Sequence, residues 1–198
     1  MITVEGLCVH SGKQTILENV SFTVGRGCAA ALIGANGSGK STLLSVLAGS
    51  ITPDSGKVSL GGRVAYLPQE NSLIDELSFA DNLHFFAALC GVPVPKTLPF
   101  GADALRKKRI SRMSGGMKKL CSIICTLLAD ADIYLFDEPC AALDAEHRTL
   151  FLSHVQALLD AGKTVLYVGH DREEYAPFAD SVISLADGKA TVCEVCHA

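Results

Sequence analysis

Nine consecutive residues, Gly34-Ala35-Asn36-Gly37-Ser38-Gly39-Lys40-Ser41-Thr42, have the composition and spacing of a phosphate-binding loop. The glycines allow a turn whose backbone N–H groups point inward, and a helix beginning at its end adds positive potential where phosphates sit. Lys40 is placed to reach the β and γ phosphates, and the Ser41 hydroxyl to bind Mg²⁺. A second constellation lies far downstream, where the apolar run Ile133 to Phe136 ends on Asp137, Glu138 and Pro139. Asp137 suits Mg²⁺ held through water, and Glu138 suits a general base that polarises an attacking water. Adjacent carboxylates repel each other, which favours a site fitted around a cation over a solvated strand end. Together the two constellations describe hydrolysis of a nucleoside triphosphate. No Asn-Lys-x-Asp run that would read guanine is present, and no second-substrate pocket of a small kinase is identifiable.

A third stretch poses a problem. Ser114-Gly115-Gly116 sets two adjacent glycines among Arg109, Arg112, Lys118 and Lys119, followed at once by an apolar segment. Ordering two glycines is unfavourable. A phosphate-binding turn would justify it, yet the chain already has one.

The elements that must position these residues follow from the hydrophobic pattern. Alternating runs Ile2 to Val9 and Val20 to Val24 predict antiparallel strands joined around Ser11-Gly12-Lys13, and Cys28 to Ile33 predicts a strand buried on both faces. Helix-compatible Ser41 to Ala48 comes next, then a turn at Pro53 to Gly56 and a strand pair, Val58 to Leu60 with Val64 to Leu67. Helical spacing returns from Leu77 to Leu89, an irregular connection covers Gly91 to Gly101, and Ser114 caps a helix over Gly115 to Ala129. Buried strands at Ile133 to Phe136 and Thr164 to Val168 flank a helix from Thr149 to Ala161. Strands alternating with helices predict an α/β fold with a mainly parallel sheet core, an N-terminal antiparallel β-subdomain and a short inserted α-helical subdomain. The core spans about 1–71 and 129–198 of one domain, and the insertion about 72–128.

Length and composition bound the rest. A chain of 198 residues, 48% hydrophobic and 19% charged, suits one domain, and its formal net charge of -4 excludes nucleic acid as the default partner. No secretory signal is visible and the longest apolar runs fall short of the ~20 residues a membrane span needs, so a cytoplasmic chain is expected. Of 8 cysteines, Cys28, Cys121 and Cys125 read as small buried hydrophobes in a reducing compartment. Cys193, Cys196 and His197 have the spacing of a haem attachment site or half a zinc site; without export or a fourth ligand they read as coincidence.

In order along the chain come the phosphate loop, Gln69 in "YLPQE", "MSGGM", "LFDEP", Ala142-Leu143-Asp144 and His170 after "TVLYVG". This series resembles the nucleotide-binding domain of the ATP-binding cassette family from about Ile2 to Lys189. "MSGGM" is similar to that family's Leu-Ser-Gly-Gly-Gln signature. The resemblance implies a P-loop ATPase in which two domains pack head to tail, each signature closing on the ATP held by the other's phosphate loop. Ser114, Gly115, Gly116, Met117 and Asp144 would then act in trans, the first three at a helix N-terminus that favours the γ-phosphate. Gln69 would sense Mg²⁺ and the attacking water, and His170 would contact the γ-phosphate. Implied partners are a second cassette, identical or related, and a separately encoded transmembrane permease subunit that holds the chain at the inner face of the cell membrane.

The series departs from the family in three places. The aromatic residue that normally stacks on adenine is Ser11 here, with His10 beside it; Met117 replaces the usual Gln; and the inserted lobe is short. Arg106 to Arg109 reads as a solvated helix face. "YLPQE", "NLHFFAALCGVP" and "MSGGM" look most like ATPase subunits of bacterial exporters. A soluble non-transport cassette, or a regulatory cassette with little turnover, would share the same motifs.

Overall fold

The computed structural model describes residues 1–195. Strands β1 (Ile2–Ser11) and β2 (Gln14–Val24) form an antiparallel hairpin through Gly12 and Lys13. Then come β3 (Ala29–Ile33), helix α1 (Lys40–Leu47), β4 (Ser55–Leu60) and β5 (Val64–Leu67). Two helices follow, α2 (Phe79–Cys90) and α3 (Gly115–Leu127), with 3₁₀ turns at Pro99–Leu105 and Ile110–Arg112 between them. The chain closes with β6 (Ile133–Asp137), α4 (Ala145–Asp160), β7 (Thr164–Val168), α5 (Arg172–Tyr175), β8 (Ser181–Ala186) and β9 (Lys189–Glu194).

These strands form two sheets, one in the order β2-β1-β4 and the other β5-β6-β7-β3-β8-β9. From β5 to β8 the larger sheet is parallel, and β9 closes its edge antiparallel to β8. Strands β6 and β7 are buried along their whole length, as the unbroken apolar runs require. Alternate residues divide between two cores. Tyr134, Phe136, Val165 and Tyr167 face one packed by α2, α3 and α4. Ile133, Leu135, Leu166 and Val168 face another shared with α1 and the smaller sheet. Because the strands are parallel, the connections after β3, β5, β6 and β7 all leave the same edge, and these carry the phosphate loop, Gln69, the carboxylate pair and His170.

Several expectations need correction. β4 and β5 do not pair with each other: β4 joins β1 and β5 joins β6. The backbone switches sheets at Gly61-Gly62, where Gly61 N–H donates to the Met1 carbonyl. The β8–β9 hairpin was not expected, although Asp187-Gly188 at its turn is a hairpin signal. Helix α4 begins at Ala145, four residues early, because Asp144 caps it by accepting the His147 N–H. Arg106 to Arg109 form no helix. The Arg106 guanidinium reaches Asp103 at 2.8 Å and the Pro95 carbonyl at 2.8 Å, so it staples the irregular connection instead. Cys121 and Cys125 are buried as expected, whereas Cys28 is half-buried and Cys193 exposed. Cys196 and His197 lie outside the described residues.

Helix α2 owes its start to a capping box between Ser78 and Asp81 and its end to Gly91 in the left-handed conformation. Asn82 on this helix is fully buried. Its Oδ1 accepts from the Ile74 N–H at 2.8 Å, and its Nδ2 donates to the Ile74 and Ser78 carbonyls at 3.1 and 3.0 Å. One side chain thereby satisfies a loop that has no ladder of its own. Replacing it with alanine (Asn82→Ala) orphans the Ile74 N–H and removes two further bonds to the Ile74 and Ser78 carbonyls, each of which keeps a backbone partner; urea unfolding is expected to show a loss of about 2–4 kcal/mol, and a loss under 1 kcal/mol would contradict this assignment.

Candidate functional site

The phosphate loop runs from the end of β3 into α1. Gly39 caps α1 in a left-handed conformation (φ 100°) with no side-chain cap, so the first-turn N–H groups stay open. Any larger residue there fails twice: its Cβ would stand 2.9 Å from Leu17 Cδ2 and 3.1 Å from the Ile16 carbonyl oxygen. Gly37 also needs positive φ, at 79°. Lys40 is buried, and its ammonium donates to the carbonyls of Gly34 at 2.8 Å and Ala35 at 3.0 Å. A cavity of about 600 Å³ gathers Asn36, Gly37, Gly39, Lys40, Ser41 and Thr42 against Gln69, Glu138 and His170. A neighbouring cavity of about 490 Å³ adds Ala35 and Ser38.

The carboxylates part company at the end of β6. Asp137 is 1% exposed, and its Oδ2 has no hydrogen-bond partner. Burial pushes its carboxyl above the usual carboxylate range; the Ser41 hydroxyl opposes the rise, Glu138 adds to it, and Lys119 and Lys40 pull it back. Glu138 takes positive φ (49°), a strained conformation for a non-glycine residue. Its Oε2 accepts from Gln69 Nε2 at 3.1 Å, and its Oε1 lies 2.8 Å from His170 Nε2, which must carry the proton to bond a carboxylate.

The signature stretch is elsewhere. Ser114 caps α3, its Oγ accepting from the Met117 N–H at 3.4 Å. Gly116 has no room for a side chain, because a Cβ would meet the Ala142 carbonyl oxygen at 2.5 Å; Gly115 stands 4.0 Å from the Ala142 side chain by the same measure. Ser114, Gly116 and Met117 share a cavity of about 460 Å³ with Ala142, Leu143, Asp144 and His147. That cavity has no lining residue in common with the phosphate-loop cavity. Within one chain the phosphate loop and the Ser114-Gly115-Gly116 turn are therefore not brought together.

Two features escaped the sequence. Ser11 lines neither cavity at the phosphate loop; Ile16 lines both, and neither contains Phe, Tyr or Trp. His10 is turned to Asp54 at 3.2 Å. The signal for Ile16 was the alternation of β2, since Leu17 points to the core and its neighbour must point out. Lys119 is the second. It is buried, and its ammonium donates to the carbonyls of Pro68 at 3.3 Å, Gln69 at 3.1 Å and Asp137 at 3.5 Å, so α3 grips both the Gln69 loop and the end of β6. Burial pushes its pKa down, with Asp137 and Glu138 opposing.

This arrangement has known counterparts. The family model described as "ABC transporter" matches residues 17–141. The chain belongs to the ABC transporter family. It is 31% identical to the Nod factor export ATP-binding protein I of Ralstonia nicotianae over 96% of its length, spanning 65% of that protein. It is 29% identical to the linearmycin resistance ATP-binding protein LnrL of Bacillus subtilis, covering 96% of this chain and 67% of the relative. Among solved structures, an ATP-binding subunit of an ABC transporter superposes with a TM-score of 0.92 at 27% identity, covering 98% of this chain and 90% of that one. The dimeric ATP-binding cassette MJ0796 bound to ADP and Pi shares the fold at 20% identity, with a TM-score of 0.84 and full coverage of both chains.

The buried carboxylate of this ABC protein gives a stability prediction. With its pKa raised by folding, ionised Asp137 is less favourable in the folded chain than in the unfolded one; stability falls as pH rises from the ordinary carboxylate range through the raised value, and the penalty persists at neutral pH. Asp137→Asn is expected to raise the melting temperature of the metal-free protein by about 2–4 °C at neutral pH. An unchanged or lower melting temperature in calorimetry would contradict the assignment.

Proposed function

We propose that the chain is the ATP-binding and hydrolysing subunit of a membrane ABC transporter, with export as the direction of transport. The observation that carries this reading is the Glu138 carboxylate held between Gln69 and His170 in the phosphate-loop cavity, with the signature turn in a separate cavity. Names of relatives from two export or resistance systems support transport over a soluble or regulatory cassette. Two copies would associate head to tail, so that Ser114, Gly115, Gly116, Met117 and Asp144 of each face the ATP of the other; a related cassette could take the place of the second copy. The segment 72–128 would serve as the lobe that docks a separately encoded transmembrane permease. No helix among the described residues is long and apolar enough to cross a membrane, and the permease would hold the chain at the inner face.

The reacting groups divide the work by charge. The open N–H groups of α1 and the glycine turn bind the phosphates, and Lys40 exchanges the Gly34 and Ala35 carbonyls for phosphate oxygens. Mg²⁺ fits Ser41, Asp137 and Gln69, because Asp137 presents a buried oxygen without a partner and repulsion from Glu138 would be relieved. When bound, Mg²⁺ supplies charge neutralisation on the phosphates. Glu138 polarises the attacking water once Gln69 and His170 turn from its carboxylate, His170 toward the γ-phosphate. With Ile16 in place of an aromatic surface, adenine is met by an aliphatic side chain, and discrimination among bases is weak.

Glu138→Gln is expected to lower ATP turnover by ~10² to 10⁴ and, measured by light scattering after size exclusion, to convert the chain to a dimer on adding ATP. A variant that stays monomeric at saturating ATP would contradict the shared site.

A further inference from the structure

Tyr167 on β7 is fully buried, and its ring is already fixed by an edge contact with Phe178, centroids 5.5 Å apart. Its hydroxyl is therefore not needed for packing, yet it is the centre of a polar chain inside the core. The hydroxyl donates to Glu174 Oε2 at 2.6 Å and lies 3.4 Å from Cys140 Sγ. One proton cannot serve both partners, so the Cys140 thiol donates to the tyrosine oxygen and the tyrosine to the carboxylate. Burial pushes the Cys140 pKa up to about 11, which keeps that thiol protonated. Glu174, itself buried, holds its other oxygen 3.7 Å from Arg148 Nε, a nitrogen with no hydrogen bond of its own.

The four residues come from the segments that carry the site. Cys140 opens the turn that ends at Asp144, and Arg148 lies on the first turn of α4, its N–H donating to the Asp144 carbonyl. Glu174 sits on α5, just beyond His170. Gly169, between Tyr167 and His170, is fixed by the same contacts: a Cβ there would meet Tyr167 Cε1 at 2.5 Å and Glu174 Oε2 at 3.2 Å. A cavity of about 240 Å³ joins Cys140, Arg148, Gly169 and Glu174 directly to Glu138 and His170.

We propose that Tyr167 is a positioning residue: through Glu174 and Cys140 its hydroxyl locks the loop carrying His170 to the loop that presents Asp144 to the second copy. The inference rests on the ATPase reading above. His170 must leave Glu138 for phosphate while Asp144 meets the partner, and two loops on separate strands do this together only if their backbones are held in one frame. Displacement of a reacting group by about 1 Å is enough to slow a step by up to ~10²-fold.

Tyr167→Phe keeps the ring and removes only the hydroxyl. Steady-state kinetics are expected to show kcat about tenfold lower with KM for ATP within about twofold of the unaltered chain. Because Glu174 is left buried without its donor, the melting temperature falls as well, and a second variant separates the two effects. Tyr167→Phe combined with Glu174→Met removes both partners and recovers stability, while kcat stays low. Turnover in Tyr167→Phe within about twofold of normal, or turnover that tracks the melting temperature across both variants, would overturn the proposal. An unaltered chain without ATP turnover removes the underlying reading and this inference with it.

Discussion

Two adjacent carboxylates at the end of a fully buried strand are the constraint around which the molecule is arranged. Asp137 and Glu138 repel each other, and one of them has almost no contact with water. The chain answers in two ways. Lys40 and Lys119 bring positive charge toward Asp137, the second by reaching from α3 to the carbonyl of Asp137 itself. Glu138 adopts positive φ, a strain of about 1–3 kcal/mol, and is turned onto Gln69 and His170. Of the residues that make the pair tolerable, Lys40, Gln69 and His170 are also those that would handle phosphate, metal and water, so stability and chemistry share one group of contacts.

The parallel sheet makes that possible. Each strand delivers its following loop to one edge, so Gly34 after β3, Gln69 after β5, Asp137 and Glu138 at β6 and His170 after β7 meet although they are spread over more than half the sequence. The signature turn cannot join them, because α3 belongs to the segment between β5 and β6 and its N-terminus opens into a different cavity. A glycine turn set apart from the phosphate loop in this way is consistent with the proposed site completed by another copy.

What was legible in the sequence was what local pattern determines. The phosphate loop, the three buried strands β3, β6 and β7 and the Ser114 cap follow from a glycine spacing, continuous apolar runs and a hydroxyl before a helix. What was not legible depends on the partners brought by distant segments. Val58 to Leu60 and Val64 to Leu67 look like a pair by proximity, yet each pairs into a different sheet, with β1 and with β6. Arg106 reads as helix surface until the carbonyls it staples are seen. Lys119 and Tyr167 look like an ordinary charge and an ordinary core aromatic; only the tertiary structure places carbonyls around one and a thiol and carboxylate around the other. The β8–β9 hairpin was missed for a different reason, since its Asp187-Gly188 turn was available.

The claim that each site is built from two chains is tested most directly by mixing two inactive proteins. Lys40→Ala disables the phosphate loop and Ser114→Arg the signature, so each homodimer has two defective sites. A mixed dimer collects both lesions in one site and leaves the other intact. The account predicts that each variant alone is inactive and that an equal mixture recovers roughly a quarter of normal ATP turnover, half the dimers being mixed and each having one working site. A mixture no more active than its components would contradict it.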